Sequence, residues 1–97
     1  MLIRIVRMTF QPEKVDEFLD IFDRSKHQIR AMPGCRHLEL LSDYDHPNIF
    51  ITNSHWDDAS ALNNYRNSEL FKETWAKTKV LFSEKPLAFS SRKIGTV

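Results

Sequence analysis

Early in this chain the period of the apolar residues changes from two residues to three or four. This change from a strand period to a helix period constrains the fold class. Residues 2–10 alternate Ile, Val and Leu with polar side chains, which is typical of a β-strand. Pro12 suits the first turn of a helix, and from Val15 the apolar positions recur at three- and four-residue steps. Together they predict a helix of about six turns that begins near Pro12 and that Pro33 and Gly34 end. Its buried face should comprise Val15, Phe18, Phe22, Ser25, Ile29 and Met32. A strand and a helix that each carry one apolar face must pack together, so the sequence predicts an α+β domain.

Three further strands follow in the sequence. Residues 35–42 and 49–56 alternate again, and the polar segment between them predicts a β-hairpin. Residues 87–94 form a last extended stretch after Pro86. The predicted architecture is ferredoxin-like: a four-stranded antiparallel sheet with the helices on one face.

A pair of shorter helices is predicted between the third and fourth strands. Asp57 or Asp58 can cap a helix that begins near Ala59. Asn67 and Ser68 interrupt this helix, and a second helical piece runs from Ser68 to near residue 83.

The second face of the predicted sheet has no cover within one subunit. The chain has 97 residues, which we interpret as a single domain over residues 1–97. A domain of this size buries only about 60–65% of its unfolded surface. We therefore expect a symmetric homodimer in which two sheets close a dimeric α+β barrel. The apolar residues assigned to the uncovered faces are Ile3, Ile5, Ile49 and Ile51.

Composition excludes several classes of function. The net charge is +1, from 14 basic and 13 acidic residues, which argues against a nucleic-acid partner. Arg4 and Arg7 interrupt the first apolar run, so we expect neither a signal peptide nor membrane association. The lone cysteine, Cys35, permits no internal disulfide and suits a reducing cytoplasm. The four histidines stand nine or ten residues apart, and two glycines cannot form a phosphate loop, so we predict no metal or nucleotide site.

Polar and aromatic residues cluster between residues 51 and 75. The two-residue period places Thr52, Ser54 and Trp56 on one strand face, and Tyr65 and Trp75 follow on the helices. These side chains either line a ligand pocket or form a core and rim whose polar tips find hydrogen-bond partners.

Arg4 has the same strand parity as Val6 and Met8. If helices cover that face, the guanidinium needs a carboxylate partner or a ligand, unless the side chain extends to water.

Three segments give the chain a family resemblance. They are the helix start PEKVDEFLDIF, the helix exit MPGC and the run WDDASALNNYRNSELFK. With them, residues 1–94 resemble the antibiotic biosynthesis monooxygenase domain family, within the dimeric α+β barrel superfamily. The resemblance is closest to small bacterial members of the quinol monooxygenase type.

Branches of that family differ in their catalytic residues. Haem-degrading members use an asparagine, a tryptophan and an iron-ligating histidine at positions that correspond to Val6, Tyr65 and Trp75 here. Because an indole nitrogen only donates, Trp75 cannot ligate iron. The resemblance therefore implies no haem, and the quinol-type chemistry implies no other cofactor.

The remaining branches match at single positions. Polyketide-oxidising members have an asparagine and a tyrosine where this chain has Thr52 and Leu62. Only their tryptophan on the third strand is matched, by Trp56, and Lys72 lies near the place of one of their arginines. Members that act on quinols, or on a phosphorylated signalling sugar, often carry a histidine nine residues after Trp56. Here that position is Tyr65, which can donate to an oxygen but is a poor base near neutral pH.

The resemblance implies a cofactor-independent monooxygenase that oxidises a small quinol or phenol with dioxygen. Its candidate catalytic residues are Tyr65 and Trp56. The candidate substrate-binding residues are Arg4, Thr52, Ser54, Arg66, Phe71, Lys72 and Trp75. Two alternatives stay open: a non-catalytic dimeric module that binds or detoxifies a small molecule, and an isomerase acting on a small sugar phosphate.

Overall fold

The computed structural model describes all 97 residues, which fold into one sheet and a layer of helices. The elements are β1 (Leu2–Thr9), α1 (Val15–Arg30), β2 (Cys35–Ser42), β3 (Ile49–Trp56), α2 (Ala59–Arg66), α3 (Glu69–Lys79) and β4 (Leu87–Ser91). The shortest dimension of the molecule is 21 Å, about that of one sheet plus one layer of helices. None of the helices is long and apolar enough to cross a membrane.

The sheet has the strand order β2-β3-β1-β4, and every neighbouring pair is antiparallel. Strand β1 is central and lies between β3 and β4, and its register places Arg4 opposite Ser54 on one side and Ser90 on the other. This arrangement confirms the predicted ferredoxin-like α+β fold.

The predicted face of α1 is the face that packs on the sheet. Phe18, Ser25 and Ile29 are buried. Phe18 stacks on the fully buried Phe10, with ring centroids 4.1 Å apart. The larger core cluster contains Met8, Phe10, Phe18, Phe50 and Leu81, and the smaller one contains Cys35, Trp56 and Leu62.

Helix α1 is shorter than predicted at both ends. A separate 3-10 turn, Pro12–Lys14, precedes it, and it ends at Arg30 rather than at Pro33. Gly34 then turns the chain into β2 with a φ of 81°, a left-handed conformation that favours glycine. A Cβ on Gly34 would come within 2.5 Å of the Ala61 Cβ, so this turn also brings α2 close to the start of β2.

Side-chain caps fix the starts of the two later helices. The Asp58 carboxylate accepts a hydrogen bond from the Ala61 N–H at 2.8 Å, and the Ser68 hydroxyl accepts one from the Phe71 N–H at 3.2 Å. Asp57, the other predicted cap, instead pairs with Arg36 through both carboxylate oxygens. Helix α3 and strand β4 end earlier than predicted, at residues 79 and 91.

The opposite face of the sheet carries apolar side chains that no helix covers. Leu41, Leu87 and Phe89 are 44%, 57% and 46% exposed. Ile49, which the sequence assigned to the uncovered set, is already buried in one subunit. It lies at the end of the hairpin, where its N–H donates to the His46 carbonyl and the turn folds back over it.

Candidate functional site

A cavity of about 270 Å³ lies between the sheet and the helices. Its walls come from all four strands on one side and from all three helices on the other, and they include members of both core clusters. Eight of the nine predicted site residues line it: Arg4, Thr52, Ser54, Trp56, Tyr65, Arg66, Phe71 and Trp75.

Strand parity explains the sheet side of the cavity. Successive side chains of a strand point to opposite faces, so Arg4, Val6 and Met8 of β1 share the inner face. The register sets Val6 opposite Thr52 and Arg4 opposite Ser54, and the alternate residues of β3 therefore join them. The sequence pattern alone placed Thr52, Ser54 and Trp56 on one strand face, and Arg4 on the same face of β1 as Val6 and Met8.

Four aromatic side chains form a continuous wall that runs from the end of β3 across α2 and α3. The rings of Trp56 and Tyr65 are stacked, Phe71 meets Tyr65 edge-on, and Trp75 stacks on Phe71. The successive centroid distances are 5.0, 5.2 and 5.9 Å, within the range of favourable aromatic contacts. Flat apolar surfaces of this kind accommodate a planar ring.

Trp56 has its polar tip satisfied within the protein. Its indole N–H donates to the Ser54 hydroxyl at 3.0 Å, and the whole residue is only 1% exposed. Trp56 therefore shapes the cavity as a wall, and Ser54 holds the indole in place. Of the two alternatives that the sequence left open, Trp56 and Ser54 fit a core with satisfied polar tips. The residues around them fit a ligand pocket.

The Tyr65 hydroxyl has no hydrogen-bond partner in the chain, although the residue lines the cavity. Burial, with a smaller contribution from the nearby Cys35, raises the pKa of Tyr65 to about 12. The side chain is thus a neutral phenol at physiological pH, and it can donate a hydrogen bond to a ligand oxygen but cannot accept a proton from one.

Arg4 and Arg66 are the only charged residues of the cavity lining. The Arg4 guanidinium donates to the Ser90 hydroxyl at 3.2 Å, and neither arginine forms an ion pair. Burial, together with the positive charge of Arg66, lowers the pKa of Arg4. The cavity therefore carries positive charge without a protein carboxylate to balance it.

The structure does not bring Lys72 to the cavity. Its side chain is exposed, whereas Phe71, Thr74 and Thr78 form the inner stripe of α3 at steps of three and four. Thr74 and Thr78 are polar lining residues that were not among the predicted site residues, and the helical period from Phe71 would have identified them. Lys72 follows Phe71 by one position, about 100° around the helix, and so points away.

The lining contains no Asp, Glu, His or Cys. Cys35 is buried beside the cavity, and burial raises the pKa of its thiol, so it is not a reactive thiolate. No group of three or more His, Cys, Asp or Glu side chains is placed to hold a metal ion. The site offers aromatic walls, hydroxyl donors and two guanidinium groups.

Fold and cavity together define a class: a ferredoxin-like α+β domain with an internal, mostly apolar cavity between its sheet and helices. The sequence model of the antibiotic biosynthesis monooxygenase family matches residues 1–77, and the chain belongs to this family. No curated protein matches the chain significantly in sequence.

Solved structures share the whole fold. The crystal structure of an antibiotic biosynthesis monooxygenase superposes with a TM-score of 0.92 at 21% identity, covering 98% of this chain and 100% of that one. A conserved protein from Methanosarcina mazei Go1 gives 0.90 at 23% identity, with 96% and 93% coverage. Rv0793 from Mycobacterium tuberculosis gives 0.90 at 18% identity, with 98% and 96% coverage. At these identities the likeness establishes the fold.

Proposed function

We propose that this protein is a cofactor-independent monooxygenase that oxidises a small quinol or phenol with dioxygen. The observation that carries the proposal is one cavity that combines a stacked aromatic wall, a free neutral Tyr65 hydroxyl and unpaired arginines. Family membership supports a monooxygenase-type activity.

The size of the cavity suits a small aromatic substrate. An apolar cavity of roughly 150 Å³ accommodates benzene, so about 270 Å³ leaves room for a ring with several substituents or for dioxygen beside it. The ring would lie against Trp56 and Phe71, where contact with flat apolar surfaces replaces water. Exclusion of water strengthens every polar contact made inside.

The reaction begins with ionisation of the substrate. Since the lining holds no carboxylate, imidazole or thiolate, the phenolic proton leaves to solvent, and the guanidinium groups of Arg4 and Arg66 favour the resulting anion. Tyr65 donates a hydrogen bond to the substrate oxygen and so orients the ring. Its role is that of a donor rather than a base.

The ionised quinol then reduces dioxygen directly. One electron passes to dioxygen, and the semiquinone and superoxide combine to form a C–O bond. Loss of water breaks the O–O bond and leaves a hydroxyquinone. One quinol and one dioxygen thus give one hydroxyquinone and one water. All four electrons come from the substrate, so no external reductant or cofactor is required.

We also propose a homodimer that closes a barrel through the uncovered sheet face. The exposed Leu41, Leu87 and Phe89 support this arrangement, because a contiguous apolar face of a small domain is stabilised by burial against a second copy. The unpaired, buried Cys35 supports a cytoplasmic location.

Oxygen consumption tests the enzymatic proposal. Quinols and phenols that raise the melting temperature of the protein would be added under an oxygen electrode, with EDTA present and no flavin or haem. We expect stoichiometric uptake of one dioxygen per quinol, and a strong decrease in the Tyr65→Phe variant. Tyr44→Phe is the matched control, because Tyr44 is fully exposed in the hairpin turn.

The dependence of rate on pH adds a second criterion. Without a base in the cavity, kcat/KM should rise with pH, and the apparent pKa of the profile should follow the acidity of the phenol across a series of substituted quinols. A ligand that binds without any oxygen uptake would instead favour a binding module without turnover. Isomerisation of a sugar phosphate is not proposed, since it needs an acid–base group and a polar cavity.

A further inference from the structure

The positive charge of the cavity exceeds what phenol binding needs. Arg4 and Arg66 contribute two guanidinium groups to a lining without any acidic residue. Two exposed arginines elsewhere in the chain pair with carboxylates: Arg24 with Asp20 and Arg36 with Asp57. Neither arginine of the cavity lining pairs with a carboxylate.

The position of Arg4 makes this lack of a partner costly. It lies on the central strand β1 and is half-buried, and its hydrogen bond goes to the neutral Ser90 hydroxyl at 3.2 Å. The proximity of Arg66 adds repulsion, which contributes to the lowered pKa of Arg4. A half-buried guanidinium that lacks a carboxylate partner and lies near a second, exposed cation favours an anionic ligand in the cavity.

We propose that the cavity selects hydroxylated aromatic carboxylic acids. Arg4 and Arg66 hold the carboxylate at the arginine side, while the ring stacks on the aromatic wall and the phenolic oxygen meets Tyr65. A guanidinium matches a carboxylate in a planar, two-bond geometry, and a ligand with a carboxylate and a developing phenolate balances both cations. This inference rests on the proposed function only in placing the ligand in the same cavity.

A matched pair of probes tests the charge requirement. Gentisate (2,5-dihydroxybenzoate) and its methyl ester share the same ring and hydroxyls, but only the acid carries the carboxylate. Binding would be measured anaerobically by calorimetry, so that turnover does not interfere. We expect the wild-type protein to bind gentisate about tenfold or more tightly than the ester.

Arginine variants then assign the preference to residues. In Arg4→Gln and in Arg66→Gln the preference for the acid over the ester should fall to about threefold or less. Lys72→Gln is the matched control, because Lys72 is a cation of the same region that does not line the cavity, and it should keep the full preference. Circular dichroism checks folding; if Arg4→Gln does not fold, Arg66→Gln and Arg4→Lys decide.

The outcomes distinguish this inference from the proposed monooxygenase activity. Arginine-dependent binding of gentisate with no oxygen uptake would support the inference and overturn the monooxygenase reaction. Equal affinity for acid and ester, no binding of either probe at millimolar concentration, or a preference that survives in both glutamine variants would overturn the inference, whatever the oxygen electrode shows.

Discussion

The rings of Trp56 and Tyr65 lie stacked with their centroids 5.0 Å apart and their planes inclined by 17°. The pair joins two elements, since Trp56 ends β3 and Tyr65 lies on α2. Their polar tips behave differently: the indole N–H is bonded to Ser54, whereas the phenol is free. One ring of the stack is therefore structural, and the other is available to a ligand.

Tyr65→Phe should separate binding from stability. The hydroxyl makes no hydrogen bond in the folded chain, so its removal should change the free energy of unfolding by about 1 kcal/mol or less. The affinity for quinols, or their turnover, should decrease markedly. Chemical denaturation and calorimetry measure the two effects. Unchanged affinity for every ligand would show that Tyr65 is structural.

Ser54→Ala, in contrast, should lower the stability of the protein. It leaves the indole N–H of Trp56 buried without an acceptor, which costs about 1–3 kcal/mol in the free energy of unfolding. The same change in a Trp56→Phe background should cost less, because the donor is already absent. A double-mutant cycle by urea denaturation measures the difference. An additive cycle would contradict the proposed role of Ser54.

Sequence periodicity predicts the order of the strands and helices and the strand faces on which the site residues lie. The two-residue period placed Arg4 and Thr52 on the inner face, and the helical period identified the buried side of α1. Lys72 was a candidate because it falls near the place of an arginine in one branch of the family, but the inner stripe of α3 runs through Phe71, Thr74 and Thr78 and leaves Lys72 outside the cavity. The close approach of Gly34 to Ala61, shortly after α1, is a tertiary contact that the local pattern does not encode.

Side-chain hydrogen bonds could not be predicted in the same way. The sequence left open whether Trp56 and Tyr65 were pocket or core, because spacing does not tell which tip finds a partner. Their geometry distinguishes them: Ser54 lies two residues from Trp56 on the same strand face and reaches the indole, whereas no acceptor reaches Tyr65.

Stability should decrease in mildly acidic solution because of His55. Burial, followed by the charges of His37 and Lys93, lowers the pKa of His55, and Glu39 opposes this shift. The His37 ring lies 4.7 Å away on the neighbouring strand. Since the unfolded chain takes up the proton first, at its usual pKa of about 6.5, stability present above that pH is lost as pH falls through the lower folded value.

The measurement is the melting temperature between pH 7.5 and 5.5, a window above the usual range of carboxylates. We expect the temperature to fall with pH in the wild-type protein, and the slope to be smaller in His55→Gln. His27→Gln is the matched control, because His27 is exposed on α1. An unchanged slope in His55→Gln would contradict the assignment.

Phe89→Asp should disrupt the proposed dimer. Phe89 lies on β4 opposite Ile5 and is 46% exposed on the uncovered face, so an added carboxylate there would be buried without a partner. Sedimentation at micromolar concentration should show a dimer for the wild type and a monomer for the variant. Tyr44→Asp, at a fully exposed turn position, should remain dimeric. A monomeric wild-type protein would refute the barrel.

The alternation along β1 has a consequence for how this chain can change over time. Arg4, Val6 and Met8 face the cavity, while Ile3 and Ile5 face the other way. A deletion or insertion of one residue in this strand would exchange the two sets, moving the guanidinium outside and isoleucines inside. Substitutions can therefore tune either face independently, but changes of length at β1 alter both at once, which confines evolutionary length variation to the connections between elements.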